Sequence, residues 1–487
     1  MSEYRLYKVL DPVTLVEGVA RVVIVTSGRE VRAVYQIMEF RGFEKLAIGR
    51  KMEELPRIMS AICGVCSWSH HLVSGKAVDI IFGRRPTPRS TLIRKLVNYI
   101  QVLDSHLLHF ALIGLPDVTL WGETQRDISK LLAKNPGLVE AALKTRSLLK
   151  VLEKKLVGKI QHGGFVVPGG VTRGFNRDEI AEAEKILGEI SDLTIKLHEF
   201  FKDRVVYSGL LRKLAERGEF DLKAYNLGLV SGGDLELYDG ALRLIDSRGR
   251  IVAEIADNSR YSDLIGEATV PWNYATLPYY KQAGFKLFSE ESTILVGPLA
   301  RINVSSRVRG EKASLEYGEL LEYAGGKPIS NLLYAHWARL VEIIHCIEMM
   351  REIMDKPELY EGELVNTTGS PVERGVGVLE APRGILIHDY AGNGELIATS
   401  ARVITPTTIN NMAINTNLTK VSGRLVEEIR SKGEPSRETI AIMESMIRAY
   451  DPCNSCATHV LRINGHSQPV SFTLMVVSEE GEVLWRG

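Results

Sequence analysis

Cysteine is scarce, with five residues in a chain of 487. A disulfide scaffold is thereby excluded, since such scaffolds concentrate cysteine in short secreted chains, and a reducing, cytoplasmic compartment is the expectation. Neither sign of charge is in excess: 60 Lys+Arg balance 60 Asp+Glu. Phosphate binding draws on a basic surplus, so a nucleic-acid partner is not expected. Long apolar runs are missing as well. No stretch reaches about 18 uninterrupted apolar residues, so no membrane span is expected. The opening Met-Ser-Glu-Tyr-Arg-Leu-Tyr-Lys lacks the apolar run of a secretory signal. Repeats and low-complexity linkers are absent too. One integrated architecture is expected, although the length would accommodate about three domains of ~150 residues.

What is present is ordinary globular material, 45% hydrophobic and 25% charged. Residues 19–27 and 30–38 are rich in β-branched side chains around Gly28 and read as a hairpin. Residues 91–113 repeat apolar side chains at three and four and read as a buried helix. Asn135-Pro136 opens a helix to about 158, and 177–205, 330–355 (from Ser330-Asn331) and 436–450 give further helical patterns. Residues 235–255, 377–400 (around Gly392-Asn-Gly394) and 470–487 have hairpin character. Long helices joined by β excursions make an α+β fold with a central helix bundle and peripheral hairpins and small sheets.

Four of the five cysteines form two Cys-x-x-Cys pairs, Cys63/Cys66 and Cys453/Cys456. Gly64 frees the backbone of the first pair so that both sulfurs can turn to one point. Free thiols are only a few per cent ionised near pH 7, so work for four thiolates implies a bound cation. Sulfur donors suit zinc, nickel or iron. A structural zinc staple is the plain alternative, but such sites close short loops, with pairs roughly 15–20 residues apart. These pairs stand near opposite ends of the chain, as catalytic and cofactor sites often do. Each pair also has a histidine just beyond it, His70 and His459, of the kind that ligates or orients ligands. Cys346, with His345 and His336 nearby, reads as core.

The chain resembles the large catalytic subunit of nickel–iron hydrogenases. The resemblance rests on Ile62-Cys-Gly-Val-Cys-Ser-Trp-Ser-His70 and Asp451-Pro-Cys-Asn-Ser-Cys-Ala-Thr-His459, in that order. Between and before them stand Val16-Glu17-Gly18, Phe40-Arg-Gly-Phe-Glu44, Pro168-Gly-Gly170, Gly297-Pro-Leu-Ala-Arg301, Glu380-Ala-Pro-Arg-Gly384 and Pro406-Thr-Thr408. It implies the α+β large-subunit fold shared with the quinone-pocket subunit of respiratory complex I. It implies nickel on all four thiolates, with Cys66 and Cys456 bridging to an iron that carries carbon monoxide and cyanide. Cys63 and Cys453 would be terminal. Cys453 would serve as the base, Glu17 as the first proton relay, and Arg383 as fixed positive charge above the open metal position. Pro382 and Thr407 would surround the diatomic ligands, and His70 would bond a bridging thiolate. Glu44, His459 and the Val403 backbone carbonyl would hold magnesium or ferrous iron.

The resemblance further implies reversible cleavage of dihydrogen and a small subunit carrying the iron–sulfur clusters, with further electron-transfer subunits possible. The flavour is that of cytoplasmic methyl-viologen-reducing or soluble-acceptor members. Residues 1–459 would form one catalytic fold, and 460–487 an extension removed by a maturation endopeptidase. The alternatives are a dihydrogen sensor with the same centre, or a non-catalytic metal-binding relative. Three departures from the family pattern stand out: Ala61 replaces an arginine, Leu15 and Val19 replace the usual neighbours of Glu17, and Ser105 falls where some relatives carry an aspartate beside the arginine, with Asp104 expected to point elsewhere on its helix.

Overall fold

The structure is a computed structural model that describes residues 4–10, 13–27, 30–39, 42–123, 125–457, 475–477 and 483–486. Strands Tyr4–Leu10, Ala20–Ser27 and Glu30–Ile37 form an antiparallel sheet, with Ala20 opposite Ile37 and Ser27 opposite Glu30. The expected hairpin is therefore there, with one more strand outside it. Helix Pro88–His109 continues through a π turn, Phe110–Gly114, into Leu115–Thr119. It packs on Tyr334–Met354, and both are buried nearly all round. The span Pro88–Thr119 is long and apolar enough to cross a membrane by length and composition, yet 83% of that window is buried. A helix enclosed on every side needs the same composition as a membrane helix.

Helices Pro136–Val157 and Arg177–Phe201 flank this pair and pack on each other. Gly158 closes the first in the left-handed region, and an Asn176/Glu179 capping box opens the second. The 330–355 pattern begins later than read, at Tyr334, because Asn331 bridges to Asp221 instead of starting the helix. Strands Ala241–Ile245 and Ile251–Ile255 form the expected hairpin within a five-stranded sheet.

The 377–400 reading holds at the turn around Gly392–Gly394 but misses a second turn. Three strands stand there, Arg374–Ala381, Gly384–Gly392 and Ala398–Ile404, joined as an antiparallel meander. The missed first turn is Pro382-Arg383, too short to show as a break in the apolar pattern. Helix Ser67–Ile81 packs across this sheet. Helix Pro406–Lys432 leaves the last strand and crosses to the N-terminal sheet, and Arg437–Tyr450 returns along it. The strands Met475–Val477 and Val483–Arg486 pair antiparallel, as the terminal pattern suggested.

Candidate metal centre

The first cysteine pair hangs on the start of a helix. Cys63 is extended, and Cys66 is the residue just before Ser67–Ile81. The backbone N–H groups of Val65 and Cys66 point at Cys63 Sγ, at 3.2 and 3.3 Å. The second pair follows the end of Arg437–Tyr450, where Asp451 takes a left-handed φ of 54° and turns the chain sharply inward. Cys453 then pairs backbone to backbone with Glu17.

These two approaches converge. Cys63 Sγ lies 3.3 Å from Cys453 Sγ, although the residues are 390 positions apart. Cys66 Sγ lies 3.1 Å from Cys456 Sγ, and Cys453 Sγ 2.8 Å from Cys456 Sγ. All four sulfurs are buried and lie within 4.8 Å of one another. Burial pushes the Cys453 and Cys456 thiols well up, and neighbouring sulfurs add to this for Cys453. Burial also works against ionisation of Cys63, but hydrogen bonds from Cys453, Cys456 and Cys66 outweigh it and hold this thiol well below its ordinary value. Four thiolates cannot all keep their charge in so dry a place without a cation. The donor set fits a soft or borderline metal ion.

Beside the sulfurs is a small cavity of about 10 Å³, lined by Cys66, His70, Pro382, Arg383, Thr407, Cys453 and Cys456 among others. Arg383 enters it from a two-residue hairpin turn, Ala381 pairing with Gly384. Gly384 has a φ of 129°, and a Cβ there would stand 2.6 Å from the Gly297 nitrogen, so only glycine closes this turn. Arg383 Nε donates to the Asp451 carbonyl at 2.5 Å, Nη2 to Asp451 Oδ1 at 3.0 Å, and Nη1 to Ser105 Oγ at 3.3 Å. Burial opposes its charge, but Asp451 and the nearby sulfurs raise its pKa well above the ordinary arginine value. Asp104, as expected, points away, to Lys150 at 2.9 Å.

Glu17 sits against the second pair. Its Oε2 accepts from Cys453 Sγ at 3.0 Å and from Ser455 N–H at 3.2 Å, and Oε1 accepts from Ser455 Oγ at 2.5 Å. Thr407 Oγ1 accepts the Cys453 N–H at 2.8 Å. Pro382 presents its carbonyl to Arg301 Nη2 at 3.0 Å. His70 lines the cavity beside Cys66, but its bond runs elsewhere: Nδ1 meets His388 Nε2 at 3.0 Å, and among the described residues it bonds no sulfur. His388 thus takes one of the two ring nitrogens of His70. Burial lowers the His70 pKa to about 4, so it is neutral near pH 7.

Glu44 and Val403 meet away from the sulfurs, where Glu44 Oε1 accepts the Val403 N–H at 2.6 Å. Val403 stands opposite His388 in the sheet, which links this spot to His70. His459, the third residue expected there, lies outside the described residues. Cys346 is buried apart from the four-sulfur cluster, its thiol pushed well up by burial.

The nickel-dependent hydrogenase model matches residues 41–167 and 140–459. The NAD-reducing hydrogenase HoxS subunit beta of Cupriavidus necator is 34% identical over 473 residues, 93% of this chain and 94% of that one. An F420-non-reducing hydrogenase iron-sulfur subunit of Archaeoglobus profundus is 33% identical over 488 residues, 98% of each.

The chain belongs to the nickel-dependent hydrogenase family.

A crystal structure of an NAD+-reducing NiFe hydrogenase in the H2-reduced state agrees in fold, with a TM-score of 0.84 at 31% identity over 94% of this chain and all of that one. This hydrogenase is an oxidoreductase and the subunit in which dihydrogen is cleaved.

Reading the hydrogenase sequence alone assigns no role to several residues the site depends on. Asp451 and Ser455 are two, although both lie inside the second cysteine motif. A third group is the buried Arg301, Glu342 and Glu380. Arg301 donates to Glu342 at 2.7 and 2.6 Å, to Glu380 at 2.7 Å, and to the carbonyls of Ala381 and Pro382 at 3.0 Å each. It thereby props the turn that carries Arg383. Burial opposes the Glu342 charge, yet Arg301 and His106 hold its carboxyl down at about 2. Arg301 carried a signal in Gly297-Pro-Leu-Ala-Arg301; Glu342, in an unbroken helical pattern, carried none.

Proposed function

We propose that the four thiolates hold a nickel–iron pair, with Cys63 and Cys453 terminal on nickel and Cys66 and Cys456 bridging to an iron bearing carbon monoxide and cyanide. The observation that carries this reading is the contact of four buried sulfurs beside a small cavity walled by Arg383, Pro382, Thr407 and His70. When bound, the metals supply the Lewis acidity that polarises dihydrogen toward hydride and proton. The chain's own groups do the rest. Cys453 Sγ takes the proton, and Glu17, fixed by both donors of Ser455, receives it. Arg383, fixed by Asp451, holds positive charge over the open position and orients cyanide through its fork of N–H donors. The cavity walls exclude bulk water. Glu44, the Val403 carbonyl and His459 hold magnesium or ferrous iron, whose hard oxygen donors differ from the sulfur set.

Electrons leave through a partner. With four cysteines at the site, only Cys346 remains, too few for a cluster of the chain's own. An iron–sulfur small subunit therefore receives them, in a cytoplasmic complex that serves a soluble acceptor, as the names of the NAD-reducing and F420-non-reducing relatives suggest. Residues 1–459 act as one catalytic unit, and 460–487, mostly outside the described residues, is cut off by an endopeptidase once metal is in place.

Elemental analysis together with infrared spectroscopy of the purified complex tests the reading. Nickel and iron with carbonyl and cyanide bands are expected; zinc alone would overturn it.

A further inference from the structure

The helix Ser67–Ile81 starts at a cysteine, and its first N–H groups have no partner within the helix. Ser, Thr, Asp or Asn usually stands at such a start and covers one of them with its side chain. Cys66 stands there instead and makes no such bond. Its sulfur is turned to the cluster, 3.1 Å from Cys456 Sγ. The cover has to come from another element.

It comes from Gln101, on the buried helix Pro88–His109. Gln101 Oε1 accepts the Trp68 N–H at 3.1 Å, and Nε2 donates to the Val65 carbonyl at 2.8 Å. One side chain thus bonds the backbone on both sides of Cys66. A side-chain amide carries its donor and acceptor on one carbon in a fixed plane, which matches an N–H and a carbonyl three residues apart. Gln101 is 1% exposed, so bulk water does not compete for either bond. Asn98 and Ser105 stand three residues before it and four after, so the three side chains share one face of the helix. Asn98 Nδ2 donates to the Leu237 carbonyl at 2.9 Å and to the Glu380 carbonyl at 3.4 Å, and Ser105 Oγ accepts from Arg383 Nη1 at 3.3 Å. The first cysteine loop and the turn of Arg383 are thereby fixed to one rod, with about 6 Å along its axis between Gln101 and Ser105.

We propose that Gln101 is a positioning residue for Cys66: it caps the helix that Cys66 opens and fixes this thiolate relative to Arg383. Gln101 stands outside both cysteine motifs, and its role rests on the proposed metal site. It touches neither metal nor substrate and acts through the backbone of Val65 and Trp68.

Cobalt(II) added to the reduced, metal-free full chain tests this, since four thiolates on that ion give intense sulfur-to-metal charge-transfer bands. Gln101→Met keeps the length of the side chain and removes both bonds. Its cobalt affinity should fall about tenfold, the low end for a residue that orients a metal ligand. Its Trp68 amide should exchange hydrogen about tenfold faster, while amides of the helix Pro136–Val157 keep their wild-type rates. Cobalt affinity equal to wild type overturns the proposal, and so does exchange that rises equally in both places, the mark of a merely structural role. The wild-type chain gives a check that no misfolded variant can spoil: a Trp68 amide that exchanges as fast as in an unfolded peptide overturns the bond itself. A wild-type chain that gathers no cobalt on its thiols overturns the four-sulfur site and the role of Gln101 with it. Zinc alone in the native complex overturns only the hydrogenase reading, and cobalt affinity and exchange still decide on Gln101.

Discussion

Arg383 has three hydrogen bonds, and two of them go to Asp451, one to its backbone and one to its carboxylate. That arrangement needs a planar fork; an ammonium on a flexible stem can keep the charge but not the direction. Arg383→Lys should therefore lower dihydrogen oxidation by about 100-fold or more while leaving nickel and iron bound. Dye-coupled turnover and metal analysis check this, and wild-type turnover would remove Arg383 from the mechanism. The arginine's counter-charge also explains a departure from the family pattern. Where some relatives carry an aspartate, Ser105 only accepts a hydrogen bond, and Asp451 supplies the negative charge.

Glu153 shows a residue-scale effect away from the site. Burial pushes its carboxyl from 4.5 up to about 7, Asp104 adds to this, and Lys150 opposes it. Folding thus favours the neutral acid. The cost of the charged form is nil below pH 4.5, grows between 4.5 and about 7, and is complete above that. Glu153→Gln stays neutral throughout. Urea unfolding should show it gaining on wild type by about 2–3 kcal/mol more at pH 8 than at pH 5. An equal difference at both values would contradict the buried acid.

Among the elements, Pro406–Lys432 was the longest helix that the sequence hid. Its buried face mixes Asn410, Asn411, Asn415 and Asn417 with Ile414, Leu418, Val421 and Leu425, so amides interrupt the apolar pattern. The polar groups have a partner: the outer edge of strand Glu30–Ile37. Thr419 Oγ1 accepts the Ala33 N–H at 3.0 Å, and Asn415 Oδ1 accepts the Tyr35 N–H at 2.6 Å. The helix thereby satisfies an edge that would otherwise be left unpaired. The same helix supplies Thr407 to Cys453 at its start. Asn415→Ala should cost about 1–3 kcal/mol by stranding the buried Tyr35 amide. Faster hydrogen exchange at Tyr35 would accompany the loss; unchanged protection would mean the helix does not anchor the sheet.

The whole molecule exists to close a long loop. Cys63 and Cys453 touch across 390 positions, and Glu17, Arg383 and Thr407 arrive from three further segments. A cation held by both pairs ties the two ends of the chain together, so metal binding contributes directly to folding. The extension after His459 belongs to this scale, since the second pair must still be reachable while metal is loaded. Mass spectrometry of the mature complex should find a chain ending near His459, and an intact mass through Gly487 would contradict processing.

Donor chemistry is written locally, and so the sequence by itself determined the four thiols, their order, the carboxylate of Glu17, the guanidinium of Arg383 and the α+β class. Helix and hairpin periodicities also read correctly over 20–37 and 136–157, where one face is apolar. Neighbours are not local. That His70 bonds His388, that Asp451 takes the role Ser105 cannot, and that Arg301 and Glu342 brace the Arg383 turn follow from distant segments of the chain packing together. Only the tertiary structure decided those contacts, because each depends on shapes and distances that no single stretch of chain contains.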